Sequence, residues 1–273
     1  MTTRAEIAVF EAGHIDGALL LSQAAGWSHG RRDWKMLLRL STGCIALNEG
    51  QVVGTGFRTD FGAELSALSM IIVSEAMRSQ GLGCRLMTNL MQPGDARAYR
   101  LIATRTGRPL YEKLGFEEVD QILTLRGPLR GVPQATIAQA GTARDRDALA
   151  LLESASYGGD RTALVDWLLS HAKLAVIRDE GAVKGYAAMR PFAQGHVIGP
   201  VVSQTVEDAQ ALITQLVQDS DGDFVRIDVT RASGLAPWLQ TLGLELVDAP
   251  PVMQRGVSAL GADRKAAFSQ ALG

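Results

Sequence analysis

The feature that most narrows the fold of this 273-residue chain is a repeat, because its two halves carry the same order of elements at nearly constant spacing. "IALNEGQVVG" (45–54) and "VIRDEGAVKG" (176–185) both read as strand, acidic-Gly turn, strand, and Gly54 and Gly185 lie 131 residues apart. "KLGFEEV" (113–119) and "TLGLELV" (241–247) place Gly115 and Gly243 128 residues apart. "LRG" and "QRG" place Gly127 and Gly256 129 apart. Two copies of one unit of roughly 130 residues account for these anchors, and that is an ordinary domain size. The boundary falls in "RGPLRGVPQAT" (126–136), whose glycines and prolines continue neither a helix nor a central strand. The expected units are 1–130 and 131–273.

Each copy reads as an early helical stretch (about 15–40; about 144–171), a hairpin and a third strand (about 65–73; 196–202). A long helix follows (about 80–92; 205–218), then a strand (99–104; 223–230), a short helix and a last strand. The expected class is α/β, in the α+β sense of a mixed sheet flanked by helices. At 47% apolar the chain can build real cores, and a net charge of −2 gives no reason to expect nucleic acid or an anionic membrane as partner. Cys44 and Cys84 show neither CxxC spacing nor a secretory framework, so free thiols in a reduced cytoplasm are expected. No export signal or membrane span is expected, because no stretch approaches 18 uninterrupted apolar residues.

The stretch "MRSQGLGCRL" (77–86) follows the apolar strand "ALSMIIV" and opens a helix. A dinucleotide fingerprint would need a third glycine where Leu86 stands, and a Walker loop would need Gly-Lys followed by Ser or Thr. What remains is R-x-x-G-x-G, carried by Arg78, Gly81 and Gly83. Glycine at 81 and 83 lets the amides of Arg78 to Cys84 face one concavity, and the helix N-terminus adds partial positive charge. Such a place suits an anion.

This motif, together with "VVGTGF" and with "RPLYEKLGFEEV" (108–119), resembles the GNAT family of N-acetyltransferases over roughly residues 40–126. The resemblance implies two tandem GNAT-like domains, acetyl-CoA as cosubstrate and no metal. It implies that Arg78, Ser79, Gln80, Gly81, Leu82, Gly83 and Cys84 hold the pyrophosphate. Backbone N–H groups at Ile71, Ile72 or Val73 would polarise the thioester carbonyl. Tyr111 stands at the family's general-acid position, and a phenol keeps its proton at pH 7 while still able to donate it to a thiolate. No base is assigned: Asp60, Glu64 and Glu118 each read better as solvated surface carboxylates. Cys84, though at a helix start, lacks a neighbouring histidine and is read as incidental. The four histidines have no ligand spacing.

The second copy has Glu207 and Asp208 where a phosphate loop would need Arg and Gly, and Trp238 or Leu239 where the tyrosine would be. Over 183–256 it resembles the degenerate C-terminal domain of tandem GNAT proteins. Such a domain would wall the acceptor cleft, with Arg190, His196 and Asp228 as candidate acceptor-binding residues. A buried Asp228 would need a partner such as Arg226 or Arg190. The resemblance also implies that the segment "GWSHGRRDWKMLL" (26–38) faces the acceptor, because the family's first helices cover the cleft mouth, with Trp27 and Trp34 expected in the core.

The expected activity is acetyl transfer from acetyl-CoA to a small-molecule amine by direct attack. The alternatives are a non-catalytic acyl-CoA sensor and a protein lysine or N-terminal acetyltransferase. A monomer or homodimer is expected, since two units in one chain already form a pseudo-dimer.

Overall fold

The computed structural model describes residues 5–91, 97–134, 137–258 and 261–273. The first copy runs β1 (Glu6–Val9), α1 (Ile15–Ala24), α2 (Arg31–Leu40), β2 (Thr42–Asn48), β3 (Gln51–Phe61) and β4 (Leu65–Val73). It continues with α3 (Leu82–Leu90), β5 (Ala98–Ile102), α4 (Arg108–Lys113) and β6 (Glu117–Pro128). The second copy opens with β7 (Gln139–Ala140), α5 (Arg146–Tyr157), α6 (Thr162–His171), β8 (Lys173–Asp179), β9 (Ala182–Phe192) and β10 (Gly195–Val202). It ends with α7 (Val206–Val217), β11 (Phe224–Thr230), α8 (Ala236–Thr241), β12 (Glu245–Asp248), β13 (Pro251–Arg255) and β14 (Arg264–Ala266).

The two hairpins turn as their sequences dictate. Glu49 and Gly50 have φ of 50° and 78°, and Glu180 and Gly181 have 48° and 86°, the paired left-handed conformation that a two-residue hairpin needs to match strand twist. All the strands join one mixed sheet, ordered β1-β2-β3-β4-β5-β13-β6-β11-β14-β10-β9-β8-β7, with β12 alongside β6.

That order departs from the expectation that each copy keeps its own last strand. β13 of the second copy lies antiparallel on β5 of the first, Met253 opposite Leu101, while β6 crosses to pair with β11, Thr124 opposite Asp228. Equivalent strands of two similar units offer each other nearly the same apolar face and ladder, so exchanging them preserves the pairing while fusing the sheets. The core follows suit. One buried cluster contains Phe10, Trp34 and Phe57 from the first copy with Trp167, Tyr186 and Phe268 from the second. Trp34 is fully buried and stacked on Phe10 at 5.7 Å, as expected of a core tryptophan.

The residues 264–273 are pinned by a buried ionic cluster. Glu153 contacts Arg161 Nε at 2.8 Å and accepts hydrogen bonds from Arg264 Nη2 at 2.8 Å and Tyr186 Oη at 2.5 Å. Arg161 also donates to the carbonyls of Leu272 and Gly273. Burial by itself would push the Glu153 carboxyl up. The two guanidiniums and the tyrosine hydroxyl outweigh that effect and hold it below its ordinary value. Its folded pKa is depressed, so its contribution is present above the unfolded-state value of about 4.3 and fades as pH falls through the folded one. Glu153→Gln should therefore cost about 3–5 kcal/mol in urea unfolding at neutral pH, because it leaves two buried cations short of a counter-charge. The gap from wild type should narrow in acid.

Candidate active site

β4 and β5 run parallel only from Leu65–Ala98 to Ala67–Arg100, and then separate. Met70, at φ 51°, marks an irregularity in β4 beside this point, and its carbonyl accepts the Thr55 hydroxyl at 2.8 Å. Beyond it opens a cleft of about 550 Å3 lined by Ile71, Ile72 and Val73 from β4, by Met77 to Ser79, by Gly81 to Cys84, and by Thr104, Gly107 and Tyr111 around α4.

The loop that enters α3 is built for a ligand that meets the backbone. Ser79 and Gly81 are left-handed at φ 61° and 76°, and the first backbone bond of the new helix is Arg85 N–H to the Gly81 carbonyl, 3.1 Å. The amides before it precede the helical ladder and are available to a ligand. Gly83 serves packing, since a Cβ there would come within 3.0 Å of Leu110 Cδ2. Arg78 and Lys113 are the cationic members of the lining. Gln80, counted with the loop from its sequence, donates to the Ala76 carbonyl at 2.9 Å and is not part of the lining. A cleft with free amides, two cations and an apolar floor fits the pyrophosphate and pantetheine of acetyl-CoA.

Tyr111 is 6% exposed, and burial pushes its hydroxyl up to about 12. Gly107 makes room for it, as a Cβ there would lie 2.9 Å from the ring. Trp27, expected in the core, is instead half-buried on the cleft wall. Thr104, Gly107 and Lys113 were not picked out in the sequence. Only Gly107 carried a signal, one helical turn before Tyr111 and so on the same face.

None of Asp60, Glu64 and Glu118 lines the cleft. Asp60 is tied to Arg58 and Arg97, and Glu118 to Arg108. Cys84 is exposed on the lining, whereas Cys44 is buried, its thiol pushed up to about 12 by desolvation. No described group of three or more His, Cys, Asp or Glu is arranged to hold a metal, and no described helix is long and apolar enough to cross a membrane.

The same place in the second copy is closed. β10 and β11 pair in parallel from His196–Val225 to Ile198–Ile227, the counterpart of the short β4–β5 ladder. Where they part, β14 fills the gap, with Ala266 opposite both Val201 and Val229. The start of α7 is capped from within, Thr205 Oγ1 accepting Asp208 N–H at 3.0 Å, and Glu207 and Asp208 occupy its first turn. Asp228 is buried and accepts from Thr124 at 2.7 Å and from Arg226. Arg190 is buried near Asp33, and both Arg190 and Asp228 line one small chamber. His196 lies apart from it, 4.0 Å from Asp223.

Residues 39–118 and 149–269 each match the profile of an acetyltransferase (GNAT) domain. The chain belongs to the GNAT acetyltransferases. The uncharacterized N-acetyltransferase YitH of Bacillus subtilis (strain 168) is 27% identical over 271 residues, covering 95% of both chains. A putative acetyltransferase from Pyrococcus horikoshii shares the fold at a TM-score of 0.85 and 15% identity, covering 100% of this chain and 97% of that one. A tandem GNAT protein from the clavulanic acid biosynthesis pathway does so at 0.62 and 16%, covering 94% and 100%. The tandem GNAT architecture is thus shared along almost the whole chain.

Proposed function

We propose that the first unit transfers acetyl from acetyl-CoA to the amine of a small molecule, and that the second unit binds no acetyl-CoA of its own but helps enclose the acceptor. The observation that carries this reading is the contrast between the two splayed strand pairs, one opening into a cleft with a phosphate loop and a tyrosine, the other filled by β14. Acetyl-CoA supplies the activated acyl group. The amides of the 79–84 loop and Arg78 hold its phosphates, and the β4 backbone at Ile71 to Val73 offers N–H to the thioester oxygen as charge develops there. Tyr111 passes its proton to the departing thiolate. Among the described residues no carboxylate lines the cleft, so the ammonium of the acceptor loses its proton to water or to a group the acceptor brings with it. The α1–α2 loop rests against the second unit, the His29 ring 5.9 Å from that of Phe192, which supports a compact acceptor over a polypeptide.

The test is calorimetric titration of acetyl-CoA followed by thioester consumption against a panel of amines. Binding with no turnover on any amine would favour the sensor. One acetyl-CoA per chain is expected, and a stoichiometry of two would overturn the closed second site. Because the Tyr111 hydroxyl titrates at about 12, kcat should show no loss from its ionisation below pH 10 or so, a limit that a pH–rate profile reads directly.

A further inference from the structure

The seam between the two units holds a small chamber, distinct from the cofactor cleft, whose largely apolar walls carry several charged side chains. Its walls include His29 and Asp33 from the first unit, and Arg190, Arg226, Asp228 and Ser269 from the second. Its free volume is about 30 Å3, room for a group of one or two water-sized parts. The chamber begins one side chain beyond the cleft, since Trp27 lines the cleft and its ring lies 5.7 Å from that of His29.

Each of the two carboxylates in the chamber already has a partner. Asp33 Oδ2 takes the Gly30 N–H at 2.8 Å, and Asp228 Oδ1 takes the Thr124 hydroxyl at 2.7 Å together with Arg226 Nε and Nη2 at 3.2 and 3.1 Å. The donors are less well matched. Arg190 is 3% exposed, yet among the described residues its one polar contact is Nη1 to Asp33 Oδ1 at a long 3.4 Å, and its Nε has no acceptor. One face of its guanidinium is covered by the Phe268 ring, 4.6 Å away, and the residue lines the chamber. His29 Nδ1, a donor or an acceptor according to tautomer, is also buried without a partner among the described residues. Burial above all, aided by Arg226 and Arg190 and opposed by Asp33, pushes His29 down to about 4 and keeps it neutral. Buried donors in native proteins are nearly always matched, and a planar guanidinium with open edges is matched best by a carboxylate.

We propose that this chamber receives a carboxylate of the acceptor, with Arg190 as its principal donor and His29 at its mouth, so that the acceptor is an amine bearing a carboxylate at its other end. The proposal rests on the acetyl-transfer reading for the amine, whereas the carboxylate site can be tested without it. The probes are the linear alkanoates from propanoate to hexanoate and their carboxamides, titrated into the full chain with and without saturating CoA. At least one alkanoate should bind about tenfold more tightly than its amide, and Arg190→Gln should reduce that preference below about threefold while leaving the acetyl-CoA Kd unchanged. Among ω-amino alkanoates, the one of matching length should show a KM about tenfold below that of its amide, with kcat little changed. If Arg190→Gln fails to fold, His29→Ala in the α1–α2 loop and the conservative Arg190→Lys carry the same comparison, with a smaller loss of preference expected in each. Absence of any alkanoate preference in folded wild type overturns the proposal, as does a preference that survives in the variants. Failure of acetyl-CoA to bind would show separately, in its own titration, and leaves the alkanoate result readable.

Discussion

Replacing Gly81 and Gly83 together by glutamate is expected to raise the Kd for acetyl-CoA at least about a hundredfold, ~2.7 kcal/mol, while the protein stays folded. Gly81 sits at φ 76° with open space around it, so a side chain there is strained and extends toward the ligand. At Gly83 the nearest atom to a new Cβ is Leu110 Cδ2, the movable end of a side chain, at 3.0 Å. Two carboxylates at the helix start proposed to hold phosphates reverse the sign of the local field. Circular dichroism and a melting curve check the fold, and calorimetry reads the affinity. A folded variant that binds within about tenfold of wild type would remove this loop from the cofactor site.

Tyr111→Phe should lower kcat by about 10²- to 10³-fold and leave the acetyl-CoA Kd within about twofold. The ring belongs to a buried cluster with Leu82, Leu86 and Phe116, and phenylalanine keeps that packing. The hydroxyl is what the variant lacks, and with it the proton proposed for the leaving sulfur. Steady-state rates on an amine found by the panel, set beside calorimetry, separate the two effects. An unchanged kcat would mean that the thiolate leaves unaided or takes its proton from solvent.

Local elements were legible because their signals are local. The acidic-Gly hairpins announced themselves through a glycine between two β-rich runs, although the glutamate before it also takes positive φ, and the start of α3 through a glycine pair behind an apolar strand. The exchange of β6 and β13 was not legible, because both strands carry the same alternation and satisfy either neighbour equally in pattern. β14 was hidden for another reason: "RKA" is a short, mostly charged run, and its place between β10 and β11 depends on Arg264 reaching Glu153, 111 residues away in sequence. Asp228 and Arg190 could be picked out as polar residues in apolar strands. Their neighbours His29 and Asp33 were legible only as part of a segment, 26–38, facing the acceptor, since nothing near positions 29 and 33 signals a strand some 160 residues later.

The exchanged strands also order the events of synthesis. β5 emerges from the ribosome early but finds its neighbour β13 only when Pro251–Arg255 has been made, and β6 must wait for β11. The first unit therefore cannot complete its sheet while the second is still being translated, although it carries the whole cofactor loop. Closing contacts of such separation in sequence is slow and leaves an apolar strand edge unpaired in the interval, a period in which the nascent chain is most open to chaperones and to self-association.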